Sequence, residues 1–424
     1  LRDKKTQVRW GIEDFRFRFG RDPESIWLPE TACNEETLEV LVEEKIKFII
    51  LSPHQARAFR SLDCGAWQDV VGGHIDPKEP YRYFLKKNPA LFIDIFFYDG
   101  PISKAVGFDN LLFDAKVFMH RLEGGVLQSR ETPQLIHIAT DGETYGHHKP
   151  YGDRVLAYLT YVEIPKRGYR LVNYGEYLEE NPPHYEVRLI EGENGEGTSW
   201  SCAHGVMRWK DHCGCRGGGP ANWTQHWRKP LRWALDWLRD ELVKIYEKEG
   251  SQYFRDVWEA RDDYIHVILN RNEKNIRDFF SRQAMRDLSK EEVTLCLKLL
   301  EMQRHLMLMY TSCGWFFSEI SGIETVQILQ YAARAVQLAF EISGANYEKD
   351  FLERLSLAKS NMELFGDGKG VYEKLVKPAA ASLHHIVSYY AIGSIFENYY
   401  PQADIVKIYS FDLHVFHQRK ESLD

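Results

Sequence analysis

Two acids stand where apolar runs stop. Glu30 closes the run Ile26-Trp27-Leu28-Pro29, and Asp141 follows the run 134–140 at the head of Asp141-Gly142-Glu143-Thr144-Tyr145-Gly146-His147-His148. Paired carboxyl groups suit cleavage of a glycosidic bond. One stays protonated and delivers its proton to the leaving oxygen, while the other stays ionised and attacks the anomeric carbon; a crowded, partly dry mouth separates their pKa values in that sense. An acid in such a place can also cap the next helix or pair with an arginine. Asp141, His147 and His148 offer another chemistry, ligation of a cation in a metal-dependent hydrolase or deacetylase. Against it, two adjacent histidines point in divergent directions on most backbones.

A second group of reactive side chains lies in Ser199-Trp200-Ser201-Cys202-Ala203-His204 and the segment after it, with His212, Cys213 and Cys215. Cys202, His204, Cys213 and Cys215 have the C-x-H and C-x-C spacing and the soft atoms that Zn²⁺ accepts. The spacing is not that of a standard finger or ribbon. A loop of reduced thiols beside the site is therefore the preferred reading, with no cofactor required. Seven cysteines, an odd number in a chain of 424 residues, match a reducing compartment better than a disulfide framework, so a cytoplasmic location is expected.

The elements that must position these groups change character along the chain. In the first half, short runs at 26–28, 46–52, 92–98 and 134–140 read as strands buried on both faces. Helical stretches lie between some of them: Asn34 caps 35–44, and 110–122 reads as another. Such alternation predicts a parallel α/β sheet or barrel, whose strand ends converge on one mouth. Glu30 and Asp141, about 110 residues apart in sequence, could then face each other across it.

After a Gly-rich stretch near residue 195 the pattern turns helical. Leu231, Leu235, Leu238, Leu242 and Ile245 share one face up to Gly250, Ser289 and Glu292 form a capping box, and 324–343 is closed by Gly344. The segment after 400 looks like strand. The expected divisions are 1–197, a barrel with both acids; 198–228, a Trp/Cys/His-rich loop; 229–395, a helical domain; and 396–424, a strand segment. Aromatic residues reach 13%, a load that suits a site stacking flat ligands such as sugars. A net charge of −8 without a basic stripe argues against nucleic acid as a partner. No apolar run approaches the roughly 20 residues needed to span a bilayer, so a soluble protein is expected.

The chain resembles glycoside hydrolase family 57, in the branch where such a domain precedes a C-terminal DUF3536 domain. Trp27-Leu28-Pro29-Glu30 matches the family's nucleophile motif, and Asp141-Gly142-Glu143-Thr144-Tyr145-Gly146-His147 matches its acid/base motif. Ser312-Cys313-Gly314-Trp315 matches a later motif more weakly. The resemblance implies a distorted (β/α)7-type TIM-like barrel followed by an α-helical domain. It implies a retaining enzyme of α-glucans or maltooligosaccharides, either hydrolase or glucanotransferase, with Glu30 as nucleophile and Asp141 as acid/base. Trp27, Trp200 and Trp315 would stack on sugar; Glu143 and His147 would hold hydroxyls or orient Asp141, and His54 is a further candidate. The family's opening strand with its His motif has no counterpart here, so the chain reads as starting after that strand. A glucan-binding protein without turnover is the remaining alternative.

Overall fold

The computed structural model describes residues 1–380, 383–396, 405–408 and 411–417. Helix α1 (Arg2–Phe19) leads, and α2 (Glu35–Glu43) follows with Asn34 as its cap, Oδ1 accepting from Thr37 N at 3.0 Å. Six strands form one sheet: β1 (Phe48–Leu51), β2 (Ala56–Ser61), β3 (Gln68–Asp69), β4 (Tyr81–Phe84), β5 (Phe92–Phe97) and β6 (Tyr185–Leu189). Their order is β1-β5-β4-β6-β2-β3, parallel at β1/β5 and β4/β6 and antiparallel at the other junctions.

The sheet is buried on both faces at its centre, as continuous apolar strands require. Register pairs Phe48 with Asp94 and Ile50 with Phe96. Period-two alternation then sends Ile49, Leu51, Ile93, Ile95 and Phe97 to a core shared with α1 and α2. Phe48, Ile50 and Phe96 face the other way, onto Tyr174 and Tyr177 of a short helix, Tyr174–Glu180.

The structure differs from the strand expectation at 26–28 and 134–140, which run extended but outside the ladder. Their backbone groups find scattered partners instead. Ser25 bridges to Phe48, Asp99 N bonds His137 O at 3.0 Å, and Ala139 N bonds the Ser103 hydroxyl at 3.0 Å. Both segments still lie at the edge of the sheet, and each delivers one of the two acids.

The second half is helical. In α3 (Arg228–Gly250) Leu231, Leu235, Leu238 and Leu242 are wholly buried, and they pack with α4 (Lys290–Leu308) and α5 (Ile323–Ser343) in one large core. The Ser289 capping box closes in both directions, at 2.8 and 3.2 Å. Gly344, at φ 72°, ends α5 in the left-handed region that a residue without Cβ adopts freely. At the end of the chain, Ile405–Ile408 and Phe411–His414 pair as an antiparallel hairpin. Among the described residues no helix is long and apolar enough to cross a membrane.

Candidate active site

Leu28 is extended, and the chain then turns through Pro29–Thr31 with both Glu30 (φ 58°) and Thr31 (φ 49°) left-handed. For a β-branched residue this is strained, at roughly 1–3 kcal/mol per position, and persists only where its surroundings over-determine it. Gln55, buried just after β1, does so. Its amide accepts from the Thr31 hydroxyl (2.8 Å) and Ser52 N (2.9 Å), and donates to Thr31 O (2.9 Å) and Thr198 O (3.0 Å). The antiparallel bridge between Cys33 and Thr198 brings in the next segment. Gly197 must be glycine there, because a Cβ would sit 2.0 Å from Cys33 O.

That bridge sets Trp200 and Ser201 over Glu30. The indole Nε1 of Trp200 donates to Glu30 Oε2 at 3.0 Å, and the Ser201 hydroxyl donates to the same oxygen at 2.7 Å. Two donors thus converge on one carboxylate oxygen. Trp200 also meets Trp27 edge-on, with ring centroids 5.2 Å apart, and Tyr98 at 6.1 Å.

Asp141 is treated in the opposite sense. It leads the turn Gly142–Thr144 and accepts Thr144 N at its own carbonyl, and among the described residues no hydrogen bond or ion pair reaches its carboxyl group. Partial burial raises its pKa, and the neighbouring Glu143 and then Glu30 raise it further, against a smaller lowering by His148. The segment before it is anchored by His137, whose Nδ1 lies 2.9 Å from the Tyr174 hydroxyl and whose Nε2 lies 2.8 Å from Pro77 O. Burial pushes that imidazole down to about 4, so it is a neutral strut.

Trp27, Trp200, Asp141, Ile50, Tyr145 and Tyr174 are among the walls of one cleft of about 480 Å³. Trp27 is 44% exposed and turns a free ring face to it. The structure thus brings together Trp27, Glu30, Asp141, Glu143 and Trp200. His147 is exposed and leans on His148 at 4.9 Å between ring centroids; the pair does not join Asp141 in a ligand set. His54 is exposed and packs against Gly73, outside the cleft walls.

Trp315 corrects an expectation. It is fully buried and stacks on Tyr310, with centroids 6.2 Å apart and planes 5° from parallel, so its face is already taken by the helical core. Its turn reaches the site through Cys313 instead. Burial and the Glu30 carboxylate both raise the thiol's pKa there. Sequence reasoning missed Ser201 and Gln55, for which adjacency to Trp200 and to His54 was the available signal. Among the described residues the one group of His, Cys, Asp and Glu able to hold a metal is Cys202, His204, Cys213 and Cys215.

A model of glycosyl hydrolase family 57 matches residues 1–190, and one of a domain of unknown function, DUF3536, matches residues 223–423. No curated protein matches the sequence. Among solved structures, an exo-type maltose-forming amylase from Pyrococcus sp. ST04 is similar with a TM-score of 0.59 and 16% identity, over 88% of this chain and 68% of that one. A GH57 branching enzyme from Thermococcus kodakaraensis gives 0.45 and 14%, over 89% and 68%. An α-amylase from Thermotoga maritima gives 0.44 and 12%, over 90% and 70%. The fold class is α/β, a barrel-type domain like that of the maltose-forming amylase, here with a six-stranded mixed sheet, followed by helices. Residues 1–190 are thus similar to glycosyl hydrolase family 57, and residues 223–423 to a DUF3536 domain.

Proposed function

We propose that the protein is a retaining glycoside hydrolase or glucanotransferase of α-glucans. The observation that carries the reading is the opposite treatment of two acids beside one aromatic cleft. Glu30 receives two hydrogen bonds on one oxygen, whereas Asp141 is held above the usual carboxylate range. In the first step Glu30 attacks the anomeric carbon while Asp141 gives its proton to the departing oxygen. In the second, the Asp141 carboxylate takes a proton from water or an acceptor hydroxyl, whose oxygen displaces Glu30 with net retention. Trp27 supplies a stacking face, and Trp200 both walls the cleft and steadies Glu30. An α-glucan as the substrate is supported by the family and by what the similar enzymes are named for.

The test is turnover of maltooligosaccharides by the chain and by two variants. Glu30→Gln is expected to lower kcat on the order of 10⁴-fold or more, and Asp141→Asn by roughly 10²–10⁴-fold. A fluorinated glucosyl donor should leave a covalent sugar on Glu30, detected by mass. Glucan binding with no turnover, unchanged in Glu30→Gln, would replace this reading with that of a glucan-binding protein.

A further inference from the structure

Beside the cleft, one loop gathers three thiols and an imidazole at a point. Cys202 Sγ lies 3.9 Å from Cys213 Sγ and 4.0 Å from Cys215 Sγ, and Cys215 Sγ lies 3.4 Å from His204 Nδ1. The four ligand atoms all fall within 4.8 Å of one another, and every cysteine is free of disulfide. Around tetrahedral Zn²⁺, metal–ligand bonds of about 2.3 Å to sulfur and 2.0–2.1 Å to nitrogen separate sulfurs by about 3.8 Å and sulfur from nitrogen by about 3.5 Å. The distances of 3.9, 4.0 and 3.4 Å in the loop are close to those spacings.

Two independent features point the same way. The first is the placement of the thiols: Cys202 is buried, Cys213 and Cys215 are half-buried, and the three converge from the two ends of the loop. Gly214, at φ 77°, makes the short Cys213–Cys215 turn possible. The second feature is Arg228, fully buried at the start of α3. It donates from Nη1 to Cys213 Sγ at 3.6 Å and from Nη2 to the carbonyls of Phe316 (3.0 Å) and Phe317 (3.2 Å). Among the described residues no carboxylate pairs with it. A buried cation needs a counter-charge. Three thiolates and a neutral imidazole around Zn²⁺ leave one negative charge next to this guanidinium.

We infer that Cys202, His204, Cys213 and Cys215 form a structural Zn²⁺ site. Three thiol protons leave to solvent as the ion binds, and His204 ligates through Nδ1. All four positions are filled by protein, so no open position remains for water or substrate and the ion's role is to fasten the loop. Cys202 directly follows Trp200 and Ser201, and Arg228 ties the cluster to α3 and to Phe316–Phe317. The ion therefore locks the two donors of Glu30 against the helical domain. That last consequence rests on the proposed reaction; the metal site does not.

The experiment is elemental analysis of the full chain purified without added metal, followed by chelator stripping and reloading with Co²⁺. About one zinc per chain is expected, with the visible absorption of tetrahedral thiolate cobalt after reloading and loss of both in Cys215→Ser. If that variant fails to fold, the cobalt spectrum of the unmodified chain decides. No zinc and no thiolate-cobalt band would overturn the site, as would a disulfide found by mass between any two of the three cysteines; iron in place of zinc would overturn the choice of ion. Zinc in a chain that turns over no glucan refutes the reaction alone, and a chain that turns over glucan but holds no zinc as purified and gives no thiolate-cobalt band refutes the metal site alone.

Discussion

Glu30 and Asp141 are both carboxylic acids in different surroundings: Trp200 and Ser201 donate to Glu30, whereas partial burial, Glu143 and Glu30 raise the pKa of Asp141, and the proposed reaction uses that difference. Trp200 supplies half of Glu30's hydrogen bonds. Trp200→Phe keeps the ring and removes the donor, so kcat/KM should fall about 10- to 100-fold, the worth of a hydrogen bond to a charged group; steady-state kinetics on a maltooligosaccharide measures it. Glu143 raises Asp141 by like-charge repulsion. Glu143→Gln therefore lowers the pKa of the proton donor, and the alkaline limb of the pH–rate profile should move to lower pH. An unmoved limb would show that Asp141 is not the group titrating there. Of the three tryptophans that the sequence offered, Trp27 and Trp200 line the cleft and Trp315 lies in the helical core, because a tryptophan's partner is invisible until helices pack.

Among the elements, the turn at 29–31 depends on a glutamine from another segment. Gln55→Leu removes four hydrogen bonds and takes their partner from Thr31 and from Ser52 N in a buried place, while Thr198 O keeps Cys33 N. A loss of about 2–3 kcal/mol in urea unfolding is expected, with a fall in kcat as the strained turn relaxes. Asn34→Ala, which uncaps α2 and removes the contact with Lys4 of α1, should cost about 1 kcal/mol and leave kcat unchanged. The helix caps were legible because capping is local chemistry. The edge segments 26–28 and 134–140 were misread as strands because their apolar runs satisfy burial without revealing whether a neighbour completes the ladder.

Across the whole molecule, α1 joins the sheet domain to the helical one. Arg261, 1% exposed, donates to Asp3 at 2.7 Å and to the Thr6 hydroxyl at 2.7 Å, and Arg9 spans Glu44 and Asp262. Asp3→Ala leaves Arg261 short of its counter-charge. The expected loss is about 1–2 kcal/mol by urea unfolding, less than for a fully buried pair because Asp3 remains partly in water. Burial also pushes His137 and His305 down to about 4 from 6.5, so the fold holds both neutral where the unfolded chain would protonate them. Stability should be full above pH 6.5 and decline as pH falls toward 4, and His137→Gln should flatten that decline. A pH-independent unfolding midpoint over this range would contradict it.

By itself, the sequence determined which residues could do chemistry, the caps and apolar faces of the long helices, and the family, because residue type, period and spacing are properties of the chain read in order. Only the tertiary structure decided which oxygen of Glu30 meets Trp200 and Ser201, that Trp315 is core and Cys313 faces the site, and that four soft ligands with unfamiliar spacing converge. Those are distances between segments far apart in the chain, and a contact that depends on two packed surfaces is encoded in neither segment alone.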